Sequence, residues 1–318
     1  MSRAIDYQGL ARLRLIIASA AFGVGGCPLK MCWRRARRVD GVRHERRPHY
    51  SHHRRSDRVS LATIGSTPRA PGSWDDAADA TTVRVLTLNA HQGFSALGRR
   101  NVLSQIRDEL RADGAHLVFL QEIGGAEGEE VSPHQYEVLA DQVWPQHAYG
   151  RNAVTTGGHH GNALLSKYSI VKWQNIDVSV GEAEPRGILH CVLDIPRAPQ
   201  LHAICVHLGL RESHRRQQIE CLLDLTARMI PSDAPLVIAG DFNDWRERAH
   251  GLLVRDSSLE EIHASANGRP ARTFPARWPL LRLDRIYVRN LRHRPLQLPR
   301  RPWATLSDHA PLVGEVQL

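Results

Sequence analysis

The chain has 318 residues, 42% of them hydrophobic and 24% charged, with a formal net charge of +9; this excludes a collagen-like, coiled-coil or wholly disordered protein. The charge is unevenly placed, because residues 1–60 carry 14 of the 42 basic and 4 of the 33 acidic side chains, leaving 28 against 29 for the remainder. The body is therefore close to neutral, and the basic total says nothing about what the folded part binds.

At the N-terminus, Arg12 and Arg14 precede the apolar run Leu15–Val24, followed by Gly25, Gly26 and Cys27. Ten residues are too few to span a bilayer, which takes about 20, but they have the shape of a signal-peptide core. The basic stretch that follows, from Trp33 through Arg58, opposes export. Three readings stay open: an unstructured extension or a start placed too far upstream, an export or membrane signal, and a nucleic-acid-binding arm. The expected location is cytoplasmic, with anchoring or export the alternative if residues 1–27 act as a signal. His49, His52 and His53 are read as part of this tail, not as a metal site. Ser66–Ala80, rich in Pro, Gly, Ser, Asp and Ala, reads as a linker. Residues 1–81 are thus extension and linker, and 82–318 the folded domain.

Within that domain, apolar runs predict strands at Val83–Leu88, Leu117–Leu120, Ala163–Ser166, Ile188–Ile195, His202–His207, Leu236–Ala239, Leu283–Val288 and Pro311–Leu318. Apolar residues at helical spacing predict helices at Val102–Arg111 and Arg215–Met229, the second ending before Pro231. Strands outnumber long helices, so the expected class is α+β, a sandwich of two packed sheets. Of the five cysteines, Cys191, Cys205 and Cys221 lie in the body, odd in number and within apolar runs. They read as buried free thiols of a reducing compartment. No CxxC or HExxH pattern is present.

Polar residues break these runs at their ends. Asn89 follows Val-Leu-Thr-Leu, Gln121-Glu122 follow Leu-Val-Phe-Leu, and His207 ends Ala-Ile-Cys-Val. Asp241 and Asn243 follow Leu-Val-Ile-Ala-Gly, Asp284 interrupts Leu-Leu-Arg-Leu-Asp-Arg-Ile-Tyr-Val, and Asp308-His309 precede Ala-Pro-Leu-Val. Taken singly, an Asp or Asn after a strand is more often a turn or helix cap, and a lone His at a strand end is usually a satisfied surface or core group. Six such breaks place carboxylates, amides and imidazoles at strand rims, where side chains from several strands can meet on a rigid scaffold.

These segments resemble the ordered motifs of the endonuclease/exonuclease/phosphatase (deoxyribonuclease I-like) superfamily, compact bacterial members above all. The segments are Leu88–His91, Leu120–Glu122, Gly161–Ser166, Val206–Leu208, Gly240–Asp244, Leu283–Ile286 and Ser307–Leu312. The resemblance covers residues 82–318. It implies a four-layer sandwich, two mixed β-sheets face to face with helices outside, and a divalent-metal phosphoesterase site at one end. Glu122 would be the main Mg²⁺ ligand, Mn²⁺ serving as well, with Asn89 beside it and Asp308 supporting the metal side. Asp241 would be the base acting on the attacking water. Asn243 would donate to a phosphoryl oxygen, and His309 would bind the scissile phosphate, held in its tautomer by Asp284. His207 would lie near the leaving group. Asn162 and Arg186 are expected to touch substrate, a structural ion pair being an equal reading for Arg186. Arg215 and Gln218 are expected to be structural. His91 stands where AP endonucleases carry Asp, which counts against that activity.

The chemistry suits these residue types, since phosphodiester hydrolysis needs an in-line water, a Lewis acid and donors preset for the transition state. Mg²⁺ prefers oxygen ligands and keeps several waters. The expected activity is a metal-dependent phosphodiesterase, a nuclease acting on nucleic acid through arginines near the strand ends, namely Arg151, Arg186, Arg211, Arg215 and Arg216. The alternative is a phosphodiesterase or phosphatase for phospholipids or inositol phosphates, and a third reading is a catalytically silent binding module. The expected state is a monomer with no obligate protein partner. An apolar rim around the site would favour lipid, a basic groove nucleic acid.

Overall fold

The computed structural model describes residues 80–318, apart from residues 99, 126–133, 142, 156–157 and 182–183. The N-terminal apolar run, the His49, His52 and His53 group and the linker up to residue 79 lie outside the described residues. Along the chain run β1 (Thr82–Asn89), α1 (Leu103–Asp113), β2 (Leu117–Gly125), α2 (Gln135–Ala140), β3 (Gln146–Thr155) and β4 (Gly158–Ser166). Next come β5 (Ser169–Asp177), β6 (Gly187–Asp194), β7 (Leu201–His207), α3 (Glu212–Met229), β8 (Leu236–Asp241) and α4 (Arg248–Ser257). The last are β9 (Glu260–Glu261), α5 (Ile262–Asn267), β10 (Asp284–Arg289), β11 (Arg292–Leu296), α6 (Trp303–Leu306) and β12 (Leu312–Gln317).

The strands form two six-stranded sheets, in the orders β11-β12-β1-β2-β4-β3 and β5-β6-β7-β8-β10-β9. Each is mixed: β1 runs parallel to β2 and β7 parallel to β8, and the other pairings are antiparallel. The two-residue period of a strand explains how the sheets are covered. Val83 and Val85 of β1, Leu117 and Phe119 of β2, and Leu164 of β4 pack with Leu189, Cys191, Ala203, Cys205, Val237, Ala239 and Ile286 in one core between the sheets. The alternate residues Leu86, Leu88, Val118, Leu120 and Leu165 face outward onto α1, α2 and α6 through Ile106, Leu110, Leu139 and Trp303. On the other sheet Ile204, Val206, Ile238 and Tyr287 face outward onto Ile219, Leu222 and Leu225 of α3 and Leu253 of α4. Both sheets are thus apolar on two faces, which is why their inner strands read as unbroken apolar runs. The result is the expected four-layer sandwich.

Local rules set the helix ends. Helix α1 buries Leu103, Ile106 and Leu110 on one stripe and stops at Gly114, whose left-handed φ of 75° lets its N–H reach the Leu110 carbonyl at 3.2 Å. Helix α3 ends at Met229, before Pro231. Cys191 and Cys205 are buried free thiols, as expected. Cys221 corrects that expectation: it lies half-buried on α3 and is disulfide-bonded, its flank of the helix lying outside the close-packed core that encloses the other two.

Candidate active site

The alternation that builds the inter-sheet core also builds the site. Where the inward-facing columns run out of apolar residues, the next inward positions are polar. Val83 and Val85 lead to Asn89, Ala203 and Cys205 to His207, Val237 and Ala239 to Asp241, and Val288 and Ile286 to Asp284. Pairing brings them side by side, since Asp241 is in register with His207 on one side and with Asp284 on the other. Gly240 allows the close approach: its φ is +148°, and a Cβ there would meet the Val206 carbonyl oxygen at 1.9 Å.

Glu122 reaches the site by a different device. Regular alternation after Leu117 and Phe119 would turn residue 122 outward. The β2–β4 register shifts between Leu120 and Ile123, where two residues oppose one, and Glu122 takes a left-handed φ of 54°. This bulge turns its carboxylate into the cleft, where Asn89 Nδ2 donates to Oε1 at 3.3 Å. Asn243, two residues past the end of β8 at Asp241, is likewise left-handed, with φ 50°. Non-glycine residues in this conformation are strained and recur at functional sites.

Asp241 stands at the centre, 1% exposed. Its Oδ1 accepts from the Asn243 N–H at 2.9 Å and its Oδ2 from Asn89 Nδ2 at 3.1 Å. His207 Nε2 lies 3.6 Å and His309 Nε2 3.8 Å from the same Oδ2. Burial, helped by the neighbouring Asp284 charge, pushes the Asp241 carboxyl up to about 6, against the pull of His309, the Asn243 N–H and the Asn89 amide. His309 Nδ1 donates to Asp284 Oδ2 at 2.9 Å. Burial acts to lower the imidazole value, but the carboxylates of Asp284 and Asp241 outweigh it and hold it at about 10. His309 is therefore an imidazolium at neutral pH, with Nδ1 tied to Asp284 and Nε2–H facing Asp241 and the cleft. Phe274 packs on the ring, centroids 5.0 Å apart. Asp284 Oδ1 is buried with no hydrogen-bond partner.

The cleft, about 350 Å³ counted to its open mouth, is lined by Glu122, Arg186, His207, Leu210, Asp241, Asn243, Phe274, Leu283 and His309. Six of the expected residues are thus on its wall, with Asn89 and Asp284 directly behind them. Asp308 is close by but off the wall, its Oδ1 3.8 Å from His91 Nδ1. Asn162 is also off the wall. It is fully buried, and its amide donates to the carbonyls of Gly187 at 2.9 Å and Cys205 at 3.4 Å, so it ties β4 to the opposite sheet beneath the site. Arg186 is both on the wall and ion-paired, its Nη2 3.2 Å from Glu184 Oε1. Arg215 and Gln218 are structural: Arg215 Nη1 donates to the carbonyls of Gly209 and Leu210, and Gln218 receives the Gly209 N–H at 2.8 Å.

Two supporting residues escaped the sequence reading. Ser307 donates to the Asn89 carbonyl at 2.6 Å and receives the His309 N–H at 3.2 Å, joining the ends of β1 and the His309 loop. Thr273 Oγ1 receives the Asp284 N–H at 3.3 Å. Ser307 adjoins the Asp308-His309 pair and had that signal to betray it. Thr273 had none, because only the fold brings its loop to β10.

Comparison with known proteins agrees with this geometry. The profile of the endonuclease/exonuclease/phosphatase family matches residues 86–309. The chain is 49% identical over 246 residues to the uncharacterized protein YbhP of Escherichia coli K12, covering 74% of this chain and 96% of YbhP. Among solved structures it resembles an endonuclease/exonuclease/phosphatase from Beutenbergia cavernae (TM-score 0.59, 18% identity, 74% of this chain and 72% of that one). It also resembles the human Nocturnin catalytic domain with bound sulfate (TM-score 0.59, 18% identity, 76% and 97%). A third is D. rerio TDP2 in complex with a single-strand DNA product (TM-score 0.55, 16% identity, 74% and 98%). At these identities the structural likeness shows the fold, and the profile shows the family. The motifs at the strand rims, the two-sheet sandwich that gathers them and the match over residues 86–309 together make the chain a member of the endonuclease/exonuclease/phosphatase family.

Proposed function

We propose that this protein hydrolyses phosphodiester bonds with the help of a divalent cation, Mg²⁺ or Mn²⁺. The observation that carries the reading is Asp241: a buried carboxylate raised to about 6, fixed by two donors and facing an imidazolium across the cleft. A base of that strength is ionised at neutral pH yet accepts a proton from water more readily than an ordinary carboxylate. Its rigid hold aims it at one point in the cleft, so the water it activates attacks along one line.

His309 supplies the complementary charge. With Nδ1 engaged by Asp284, its Nε2–H is free to donate to a phosphoryl oxygen as negative charge builds there, preset before the reaction and out of bulk water. Asn243 shares that face, though its own amide donates to the Leu208 carbonyl at 2.9 Å. One of its amide hydrogens therefore remains for substrate. His207, on the cleft wall with Nε2 3.6 Å from Asp241, is the neighbouring group we assign to proton transfer at the leaving oxygen. Arg186 brings a guanidinium to the wall, its charge partly offset by Glu184 at 3.2 Å.

Two groups of donors are candidates for the cation. Asp241, Asp284 and His309 bring ligand atoms within 4.8 Å of one another. A cation there would have to displace the proton that His309 shares with Asp284. Glu122 and Asp308 offer carboxylate oxygens without that cost and fit a hard cation such as Mg²⁺. Those two would hold it, where it would draw charge from the phosphoryl oxygens. Asn89, whose Nδ2 donates to Glu122 while its Oδ1 accepts the His91 N–H at 3.1 Å, would orient Glu122.

The test is hydrolysis of bis-p-nitrophenyl phosphate by the full chain, with and without exhaustive chelation. Activity should vanish on chelation and return with Mg²⁺ or Mn²⁺, and Glu122→Gln should raise the cation concentration needed. Undiminished activity after chelation would refute the reading. The expectation of a nucleic-acid track gains no support from the cleft: of the five arginines proposed for it, Arg186 alone is on the wall, and Arg215 is buried.

A further inference from the structure

The end of the sandwich that carries the cleft has an unusual surface. Three segments converge there: 91–102 after β1, 268–283 before β10, and 297–306 between β11 and β12. A backbone hydrogen bond joins the first to the third, from Ala96 to the Thr305 carbonyl (3.1 Å), and two tie the second to the His309 loop that continues the third, from Ala276 to the Asp308 carbonyl (2.7 Å) and from Ala310 to the Thr273 carbonyl (2.8 Å). Together these segments contain eight arginines and no acidic residue, in a domain whose total charge is close to neutral; Arg99 is outside the described residues and Arg282 pairs with Glu247 at 3.6 Å. Their tips are also apolar. Trp278 is 62% exposed, Leu280 65%, Leu97 51% and Phe94 40%. Trp278 and Leu280 are the two most exposed of the large apolar side chains described. Arg277 lies over the Trp278 ring at 4.7 Å. Phe274, at the base of the same loop, lines the cleft and packs on His309.

We propose that this end of the molecule docks on an anionic phospholipid bilayer, with Trp278 and Leu280 entering the interface, the exposed Leu97 and Phe94 of the neighbouring segment adding apolar surface, and the arginines of these segments lying against the headgroups. Resting on the phosphodiesterase reading of the site, the orientation presents the cleft to phosphodiester headgroups. A soluble domain gains nothing by exposing Trp and Leu at loop tips, but a membrane interface accepts them: Trp settles at the headgroup level and aliphatic chains reach the acyl boundary. Arginines grouped around such tips are attracted to the negative surface of an anionic leaflet. A single-stranded nucleic acid would use the basic charge and the Trp278 and Phe94 rings, but the exposed Leu97 and Leu280 offer no stacking surface to a base. The bilayer accounts for all of these groups.

The test uses the full chain and vesicles of phosphatidylcholine, alone or with phosphatidylglycerol, in a flotation assay without substrate. The wild-type protein should bind the anionic vesicles in preference to the neutral ones. The double variant Trp278→Ala/Leu280→Ser should bind them at least about tenfold more weakly, the scale set by removing two buried apolar side chains from the interface. In wild type, brominated lipid should quench part of the tryptophan fluorescence, and Trp278→Phe should remove that part. Both variants should keep wild-type turnover of soluble bis-p-nitrophenyl phosphate, because neither side chain is in the cleft. The proposal is overturned if wild type ignores anionic vesicles, if the double variant binds them as tightly as wild type, or if the variant loses an oligonucleotide instead of the vesicle. Vesicle binding that survives while diester turnover is absent in wild type would strike the phosphodiesterase reading and leave the docking surface standing.

Discussion

Replacing Asp284 by Asn removes one charge from the most tightly organised contact of the site while keeping its shape. In the native protein His309 is held at about 10 against an ordinary value of 6.5, burial opposing the shift and the carboxylates of Asp284 and Asp241 producing it. A net shift of that size corresponds to roughly 5 kcal/mol in favour of the imidazolium. Its sign is that of a raised base: the stabilisation is complete below pH about 6.5 and is lost as pH rises through about 10. In Asp284→Asn the desolvation remains and the largest compensating charge is gone, so the His309 value should fall well below 10, towards the neutral range. Two effects follow at pH 7. Unfolding free energy should drop by about 3 kcal/mol, on the scale of breaking a buried pair from one side. Turnover of bis-p-nitrophenyl phosphate should drop by at least about 10²-fold, because a preset donor has lost its charge and its fixed tautomer. Urea unfolding measures the first and steady-state kinetics the second. The imidazole resonance of His309, assigned by its absence in His309→Gln, separates a chemical effect from a merely structural one. A variant that unfolds like wild type, turns over at the wild-type rate and keeps His309 protonated above pH 8 would refute the account.

Further outcomes follow from neighbouring groups. Asp241→Asn should lower turnover by at least about 10²-fold yet be no less stable at pH 7. A carboxyl raised to about 6 contributes its stability at low pH and loses it as pH rises through that value, so calorimetry showing marked destabilisation at pH 7 would contradict the assignment. His263 is buried and lowered to about 4, chiefly by desolvation. Stability intact above pH about 6.5 should therefore fall as pH drops to 4, by up to about 3 kcal/mol from this residue, and His263→Gln should flatten the urea midpoint between pH 6.5 and 4.5. Gly240→Ala would drive a Cβ into the Val206 carbonyl. It should lower the melting temperature by more than about 5 °C and cut activity by displacing Asp241; a variant with native melting and activity would contradict the packing described.

What the amino-acid sequence determined can be stated strand by strand. The eight predicted strands correspond to β1, β2, β4, β6, β7, β8, β10 and β12, which are the interior strands of the two sheets. Each is covered on both faces and writes itself as an apolar run. The four strands without a sequence signal, β3, β5, β9 and β11, are the four edges. Strand β5 exposes or half-exposes every residue, and β11 carries a proline and two arginines in five residues. Edges of this kind avoid the pattern that would invite further pairing. The site shows the same division. Asn89, His207, Asp241 and Asp284 were legible because each ends an inward-facing apolar column. The inward turn of Glu122 was not, since period-two counting points it outward and only the bulge against β4 reverses it. Nor did spacing along the chain turn Arg215 of α3 onto the Gly209 and Leu210 carbonyls, tie Asn162 between the sheets or bring loops 91–102 and 268–283 to one basic, apolar-tipped end. Local pattern follows from which faces of an element are buried, so it is written in neighbouring residues. Convergence between elements depends on packing and register, and those exist only once the two sheets have met.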